Sequence, residues 1–96
     1  MLDLEYLKQF HKIKDIADII YEIEKLDFLV AQNNWNAVNQ HIQKVSEEHP
    51  VEATVYNSMR VPAQTIQQAT TGCRQFLLSL GEAKIAEELS KHFGGN

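Results

Sequence analysis

Histidine and acidic side chains are the residues of this chain that could most readily do metal chemistry. His11 stands four residues before Asp15, and Glu88 stands four residues before His92. Residues four apart share a helix face, so each pair can meet. Metal-binding helical bundles instead place Glu three residues before His, and the chain has neither that spacing nor a zinc-type pair of cysteines. Surface ion pairs explain both His–acid pairs, and no metal or other cofactor is predicted.

The single cysteine, Cys73, is the other candidate for chemistry. A nucleophilic thiol needs a base or an electropositive pocket, and Arg74 is its only charged near neighbour in the sequence. Cys73 falls within an apolar helical pattern, which favours a small core residue. The adjacent acids Glu47–Glu48 and Glu87–Glu88 diverge on a helix and make poor acid–base pairs. With no Gly-rich phosphate loop and no Ser-centred elbow, the sequence predicts a protein that is not an enzyme.

A row of acids suggests binding rather than catalysis. Asp15, Asp18 and Glu22 step by three and four along one helix side. Such a row is either a solvated face or a negative stripe for a basic partner. Trp35, at a helix start, is either a binding anchor or a plug for one end of the core. The predicted partner-binding residues are Asp15, Asp18, Tyr21, Glu22, Trp35 and Arg60.

The elements that must position these residues are helices. Apolar residues recur at helical spacing, and no long alternation typical of strands occurs. Four helices are predicted, at residues 3–32, 35–48, 50–80 and 82–93. Asp3 is expected to cap the first helix, Asn33 and Asn34 to end it, and either Asn to cap the second. Gly81 is expected to end the third helix.

The predicted third helix carries a seam of apolar residues that alternates by four and three from Val55 to Leu80. The seam runs through Pro62, which indicates one long helix kinked there, although a break is the alternative. Gly72 and its small neighbours form a thin patch where another backbone could approach. The predicted self-association residues are Ile66, Ala69, Gly72, Cys73 and Phe76.

Composition limits the class of protein. The chain has 96 residues, of which 44% are hydrophobic and 23% are charged, with a net charge of −4. These values suit one folded domain, residues 1–96. No signal peptide or membrane span is expected, and a lone cysteine favours the reducing cytoplasm. The predicted fold is a small all-α bundle with two long antiparallel helices, the second kinked or broken near Pro62, and two shorter helices.

Two functional hypotheses remain open. The first is a non-enzymatic protein–protein interaction module, such as a small adaptor, inhibitor or regulatory subunit, that forms a homodimer. The alternative is a nucleic-acid-associated regulator, a dimeric helical DNA or RNA binder. The second hypothesis would use Arg60, Arg74, Lys84 and Lys91, although no segment has the basic excess typical of such proteins.

Overall fold

The chain folds as a small all-α bundle, as predicted. A computed structural model describes residues 3–49 and 65–93, and these residues contain four helices and no strand. The helices are α1 (Leu4–Lys8), α2 (Lys14–Ala31), α3 (Trp35–Glu48) and α4 (Ile66–Phe93). The predicted start of the third helix at Pro50 and its kink or break near Pro62 lie outside the described residues.

The predicted single helix over residues 3–32 is wrong, because the chain turns between α1 and α2. Asp3 does cap α1, with its Oδ1 accepting a hydrogen bond from the Tyr6 N–H at 3.0 Å. The amide of Phe10 then donates to the carbonyl of Leu7, and the amide of Ile13 to that of Phe10, which closes two tight turns. The turn lets α1 fold back so that Leu7 is completely buried. This burial outweighs the helical propensity of the intervening residues.

The turn between α2 and α3 is built by two asparagines, as predicted. Asn33 adopts a left-handed conformation with φ of 57°, which Asn tolerates better than most residues. Asn34 caps α3, because its Oδ1 accepts a hydrogen bond from the Ala37 N–H at 3.3 Å. The prediction for the second helix is therefore confirmed at both its start and its end.

The predicted helix end at Gly81 is also wrong. α4 continues without interruption from Ile66 to Phe93, although glycine inside a helix costs about 1 kcal/mol relative to alanine. A Cβ atom added at Gly81 would lie 2.6 Å from Cδ2 of Leu7. The missing side chain therefore gives Leu7 the space that it occupies against α4.

Helices α2 and α4 are antiparallel neighbours, and α3 covers a flank of both. Asp27, near the end of α2, pairs with Arg74 on the first half of α4, whereas Asp15, near the start of α2, lies close to Lys84. Ile16, Ile23, Leu26, Val38, Val45, Phe76, Leu77 and Ile85 are among the largest buried side chains of the common core. Among the described helices, none is long and apolar enough to cross a lipid bilayer.

A candidate binding cleft between three helices

An open cleft lies where the first half of α2, the end of α3 and the middle of α4 meet. Its volume is about 340 Å³. Its lining combines polar and charged side chains with apolar surface, to which the almost completely buried Ile19 contributes. Its lining residues are Asp15, Asp18, Ile19, Tyr21, Glu22, Glu48, His49 and Lys84.

The periodicity of α2 explains how one helix supplies most of the wall. Asp15, Asp18 and Glu22 follow each other by three and four residues, so they lie along one side of the helix. That side is next to the buried stripe of Ile16, Ile19 and Ile23 and away from the centre of the core. The acids are therefore held at the edge of the packed interface, where they border the cleft.

The end of α3 completes the opposite wall. Glu48 is the last residue of α3, and His49 follows as its C-terminal cap. The ring of His49 contacts Phe76 edge-on, with 5.9 Å between ring centroids, which fixes the end of α3 against α4. Helix C-termini carry partial negative charge on their free carbonyl groups, so α3 adds to the negative character of the cleft.

The cleft is acidic overall. Among the described residues, its lining contributes the carboxyl groups of Asp15, Asp18, Glu22 and Glu48 but only one ammonium group, that of Lys84. Asp18 is also paired with Lys14, with 3.0 Å between Oδ2 and Nζ. The lining therefore has more carboxyl than ammonium groups, which favours an external cation over an external anion. The ammonium groups of Lys25 and Lys44 offset part of this charge, because both lie close enough to Glu22 to lower its pKa.

Glu22 has the most unusual environment of these acids. Burial raises the pKa of its carboxyl group above the usual value, and charge repulsion from the nearby carboxyl group of Glu48 raises it further. Its Oε2 atom is shielded from solvent and accepts no hydrogen bond from the described residues. A buried acceptor without a donor is costly, so Glu22 would gain from a positively charged donor that enters the cleft.

His41 holds α3 against α2 close to Glu22. Its Nε2 lies 3.0 Å from the backbone carbonyl oxygen of Glu22. Because a carbonyl oxygen can only accept, Nε2 carries the hydrogen in this contact. Burial lowers the pKa of His41, which favours the neutral ring. The nearly buried imidazole is thus a structural link between the two helices, and it does not line the cleft.

Metal binding and thiol chemistry have little geometric basis in the described part of the chain. No group of three or more His, Cys, Asp or Glu side chains there could hold a metal ion. Cys73 is completely buried, and its burial, with a smaller effect of the negative charge on Glu22, raises its thiol pKa to about 12. What the cleft offers chemically is a set of hydrogen-bond acceptors with negative charge.

The structure brings together four of the six predicted partner-binding residues. Asp15, Asp18, Tyr21 and Glu22 all line the cleft. Trp35 lies at the opposite end of α3, where it is half-buried against the core, and Arg60 lies outside the described residues. Their roles in binding stay predictions.

Sequence reasoning did not assign to a protein-binding site the three lining residues that lie outside α2, although the nucleic-acid hypothesis names Lys84. Glu48, His49 and Lys84 come from two other helices, so no spacing along α2 could indicate them. In the sequence, Glu48 stands out only as half of the adjacent Glu47–Glu48 pair, which is a poor acid–base pair. The one usable signal was its place just before the His49–Pro50 helix stop, where side chains border the end of a bundle.

The predicted self-association residues are packed inside the chain. Ala69, Gly72, Cys73 and Phe76 are buried, and Ile66 is partly buried against the core. A dimer that used this seam would have to separate α4 from its neighbours. Self-association through these residues stays a prediction, and their burial means that it would require a rearrangement of the helices.

The basic residues of the nucleic-acid hypothesis are dispersed. The guanidinium of Arg74 donates to both carboxylate oxygens of Asp27, at 3.0 and 3.2 Å, and Lys91 pairs with Glu88 at 3.5 Å. Lys84 lines the acidic cleft, and Arg60 is outside the described residues. Within residues 3–49 and 65–93, these side chains do not form a basic surface.

No protein-family model, no curated protein and no solved structure matches this chain.

Proposed function

We propose that this chain is a non-enzymatic protein-interaction module that binds a cationic segment of another protein in the acidic cleft. One observation carries the proposal: the carboxyl groups of α2 and α3 converge on an open cleft in which Glu22 Oε2 is buried and has no donor among residues 3–49 and 65–93. An arginine or lysine side chain would supply the missing donor together with the compensating charge.

The shape of the cleft suits a long basic side chain. Ile19 and Tyr21 offer apolar and aromatic surface to the methylene stem of lysine or arginine, and both lie beside the acids. Tyr21 is 61% exposed, so its ring is available for cation–π contact. Glu22 and Glu48 would then receive the cationic head.

The same charge argues against phosphate-rich partners at this site. Nucleic acids bind to proteins mainly through cationic side chains that neutralise phosphates, whereas this cleft has an excess of carboxylates. An adaptor, an inhibitor or a regulatory subunit that recognises a basic segment of another protein fits the chemistry better.

We also propose that the chain self-associates and works in the cytoplasm. The free thiol of Cys73, completely buried in the core, is compatible with a reducing compartment. Self-association would let two clefts act together, which can raise avidity for a partner with repeated basic segments.

A titration with defined peptides tests the proposed function. The probe is a fluorescent helical peptide with arginine at successive helical turns, and a glutamine version serves as its neutral control. We expect the arginine peptide to bind, and affinity to fall with rising salt because the contacts are ionic.

The Glu22→Gln and Glu48→Gln variants should each weaken binding of the arginine peptide by about tenfold, since each removes a charge-assisted contact. Glu47→Gln removes the same charge from an exposed position next to Glu48 that does not line the cleft, and it should change affinity by less than about twofold. Equal binding of the arginine and glutamine peptides, or equal losses in all three variants, would overturn the proposal.

A further inference from the structure

The solvent-facing side of α2 has an ordered pattern of charged and aromatic residues. Lys14, Asp18, Tyr21, Lys25 and Phe28 follow each other by four, three, four and three residues, so they form one stripe along the helix. We call it the outer α2 stripe. It lies opposite the side of α2 that is buried in the core.

Two large aromatic side chains of this stripe are open to solvent. Tyr21 and Phe28 are each 61% exposed, and they are the two most exposed large hydrophobic residues of the described chain. A single exposed aromatic residue is ordinary. Two of them, two turns apart on one stripe and flanked by charges of both signs, have the composition of a contact surface.

The stripe matches its own reversed copy. Lys14 and Phe28 each stand seven residues from Tyr21, which places both at ~10.5 Å along the helix axis from it. In an antiparallel second α2 helix with Tyr21 at the shared two-fold axis, Lys14 faces Phe28 of the second copy. Asp18 then lies opposite Lys25 of the second copy, within about one residue of helical rise.

A parallel arrangement lacks this complementarity. It would place Lys14, Asp18 and Lys25 each opposite the same residue of the second copy, and like charges in direct contact disfavour association. The charge pattern therefore selects one orientation. A two-fold arrangement also makes every contact away from the axis twice, as in other isologous dimers.

We infer that a second copy of this chain docks on the outer α2 stripe, with the two α2 helices antiparallel and Tyr21 of each copy meeting at the two-fold axis. This inference rests on the proposed self-association and assigns its surface. The two Tyr21 rings stack at the centre. Lys14 and Asp18 keep their pairing within each copy, while the Lys14 side chain lies over a Phe28 ring and Asp18 also pairs with Lys25 of the second copy.

Analytical ultracentrifugation across a concentration series tests the assignment. The chain should form a reversible dimer. The Phe28→Ser and Lys25→Asp variants should each raise the dimer dissociation constant by at least about tenfold, because each change appears twice in the interface. Phe28 does not line the cleft, so Phe28→Ser should retain binding of the arginine peptide.

A charge exchange makes the test specific to the antiparallel pairing. Adding Asp18→Lys to Lys25→Asp reverses the proposed pair, and it should restore the dissociation constant to within about threefold of the original. The control for Phe28→Ser is Leu89→Ser, which removes an exposed hydrophobic side chain from α4. The control for Lys25→Asp is Lys12→Asp, which makes the same charge change in the turn before α2. Both are matched controls that should leave the dimer intact.

A cross-link provides a second readout that does not depend on weakening the dimer. Tyr21→Cys places a thiol at the proposed two-fold axis, and mild oxidation should convert this variant into a covalent dimer. Glu47→Cys, on the exposed side of α3, should form no covalent dimer under the same conditions, and the native Cys73 is buried.

The outcomes separate the two claims. A chain that stays monomeric at every concentration overturns both the proposed self-association and its surface. A dimer that tolerates Phe28→Ser and Lys25→Asp, with no cross-link at position 21, overturns only the outer α2 stripe. A monomer that loses a different protein partner on Phe28→Ser would assign the stripe to that partner and overturn the inference.

Discussion

At Glu22, the ionised carboxylate that the proposed binding requires is unfavourable for the stability of the fold. Burial and the carboxyl group of Glu48 raise its pKa, so the folded chain binds a proton there more readily than the unfolded chain does. The contribution of Glu22 to stability is therefore fully present below the unfolded-state pKa of about 4.5, is lost as pH rises through the folded-state pKa, and stays absent above it. The ionised carboxylate that could bind a cation is thus maintained at the expense of stability.

Glu22→Gln should therefore stabilise the free protein at pH 7. The neutral amide removes the charge repulsion and can donate a hydrogen bond to Glu48. The gain should shrink toward zero below about pH 4, where the original carboxyl group is itself protonated. Urea unfolding of both proteins across pH measures the difference, with Glu47→Gln as the exposed control. A gain that is independent of pH, or a loss at pH 7, would contradict the raised pKa.

Cys73 should be almost unreactive in the folded protein. Its thiol is completely buried, and with a pKa of about 12 it forms very little thiolate at neutral pH. We expect an aromatic disulfide reagent at pH 8 to label the folded chain more than about a hundredfold more slowly than the urea-unfolded chain. Comparable labelling rates in the two states would show that the thiol is accessible and would contradict its assignment to the core.

Single residues were predicted well where the signal lies in neighbouring positions. The Asp3 cap and the acidic row on α2 depend on spacings of three and four residues, which the sequence displays directly. The contact between Glu22 and Glu48 joins two helices, and so does the hydrogen bond from His41 to the Glu22 carbonyl. No local pattern contains that information, because helix orientation decides it.

At the scale of helices, the two errors of prediction have one physical cause. Sequence pattern favoured a continuous helix through residues 9–13 and a helix end at Gly81, and the structure has the reverse at both places. The contact between Leu7 and Gly81 accounts for both differences. The turn after α1 brings the side chain of Leu7 onto α4 at Gly81, which has no side chain to obstruct it. A glycine that ends a helix and one that admits a neighbouring side chain look alike in sequence.

A double-mutant cycle tests this contact. Leu7→Ala should destabilise the fold by about 2–5 kcal/mol, as expected for a fully buried leucine. Gly81→Ala alone should bring little or no gain, since its better helix propensity of about 1 kcal/mol is offset by the clash with Leu7. In the Leu7→Ala background, Gly81→Ala should become clearly stabilising, because the clash is gone and the new methyl group fills vacated space.

Chemical denaturation of the four proteins measures the coupling, which should exceed about 1 kcal/mol for residues in direct contact. Additive effects would show that Leu7 and Gly81 do not meet. Ala86→Gly, at an exposed position further along α4, is a suitable control for helix propensity alone. It should cost about 1 kcal/mol in either background.

At the scale of the whole molecule, helical periodicity determines the fold class, whereas tertiary packing determines the surfaces. Repeated apolar spacing predicted the all-α bundle, because periodicity is local and survives small errors in helix bounds. The cleft could not be predicted from the sequence, because its lining comes from α2, α3 and α4 and from the cap of α3. Two surfaces result, an acidic cleft and, partly shared with its rim, the outer α2 stripe.

Titration of the isotope-labelled chain with the arginine peptide, followed by two-dimensional amide NMR, tests cation recognition by the cleft most directly. We expect saturable shifts concentrated at Asp15, Asp18, Glu22, Glu48 and Lys84, with the residues around Trp35 and the end of α4 unaffected. The glutamine peptide should produce none of these shifts. Shifts spread evenly over the exposed acids of the chain, or confined to a surface away from the cleft, would contradict the proposed site.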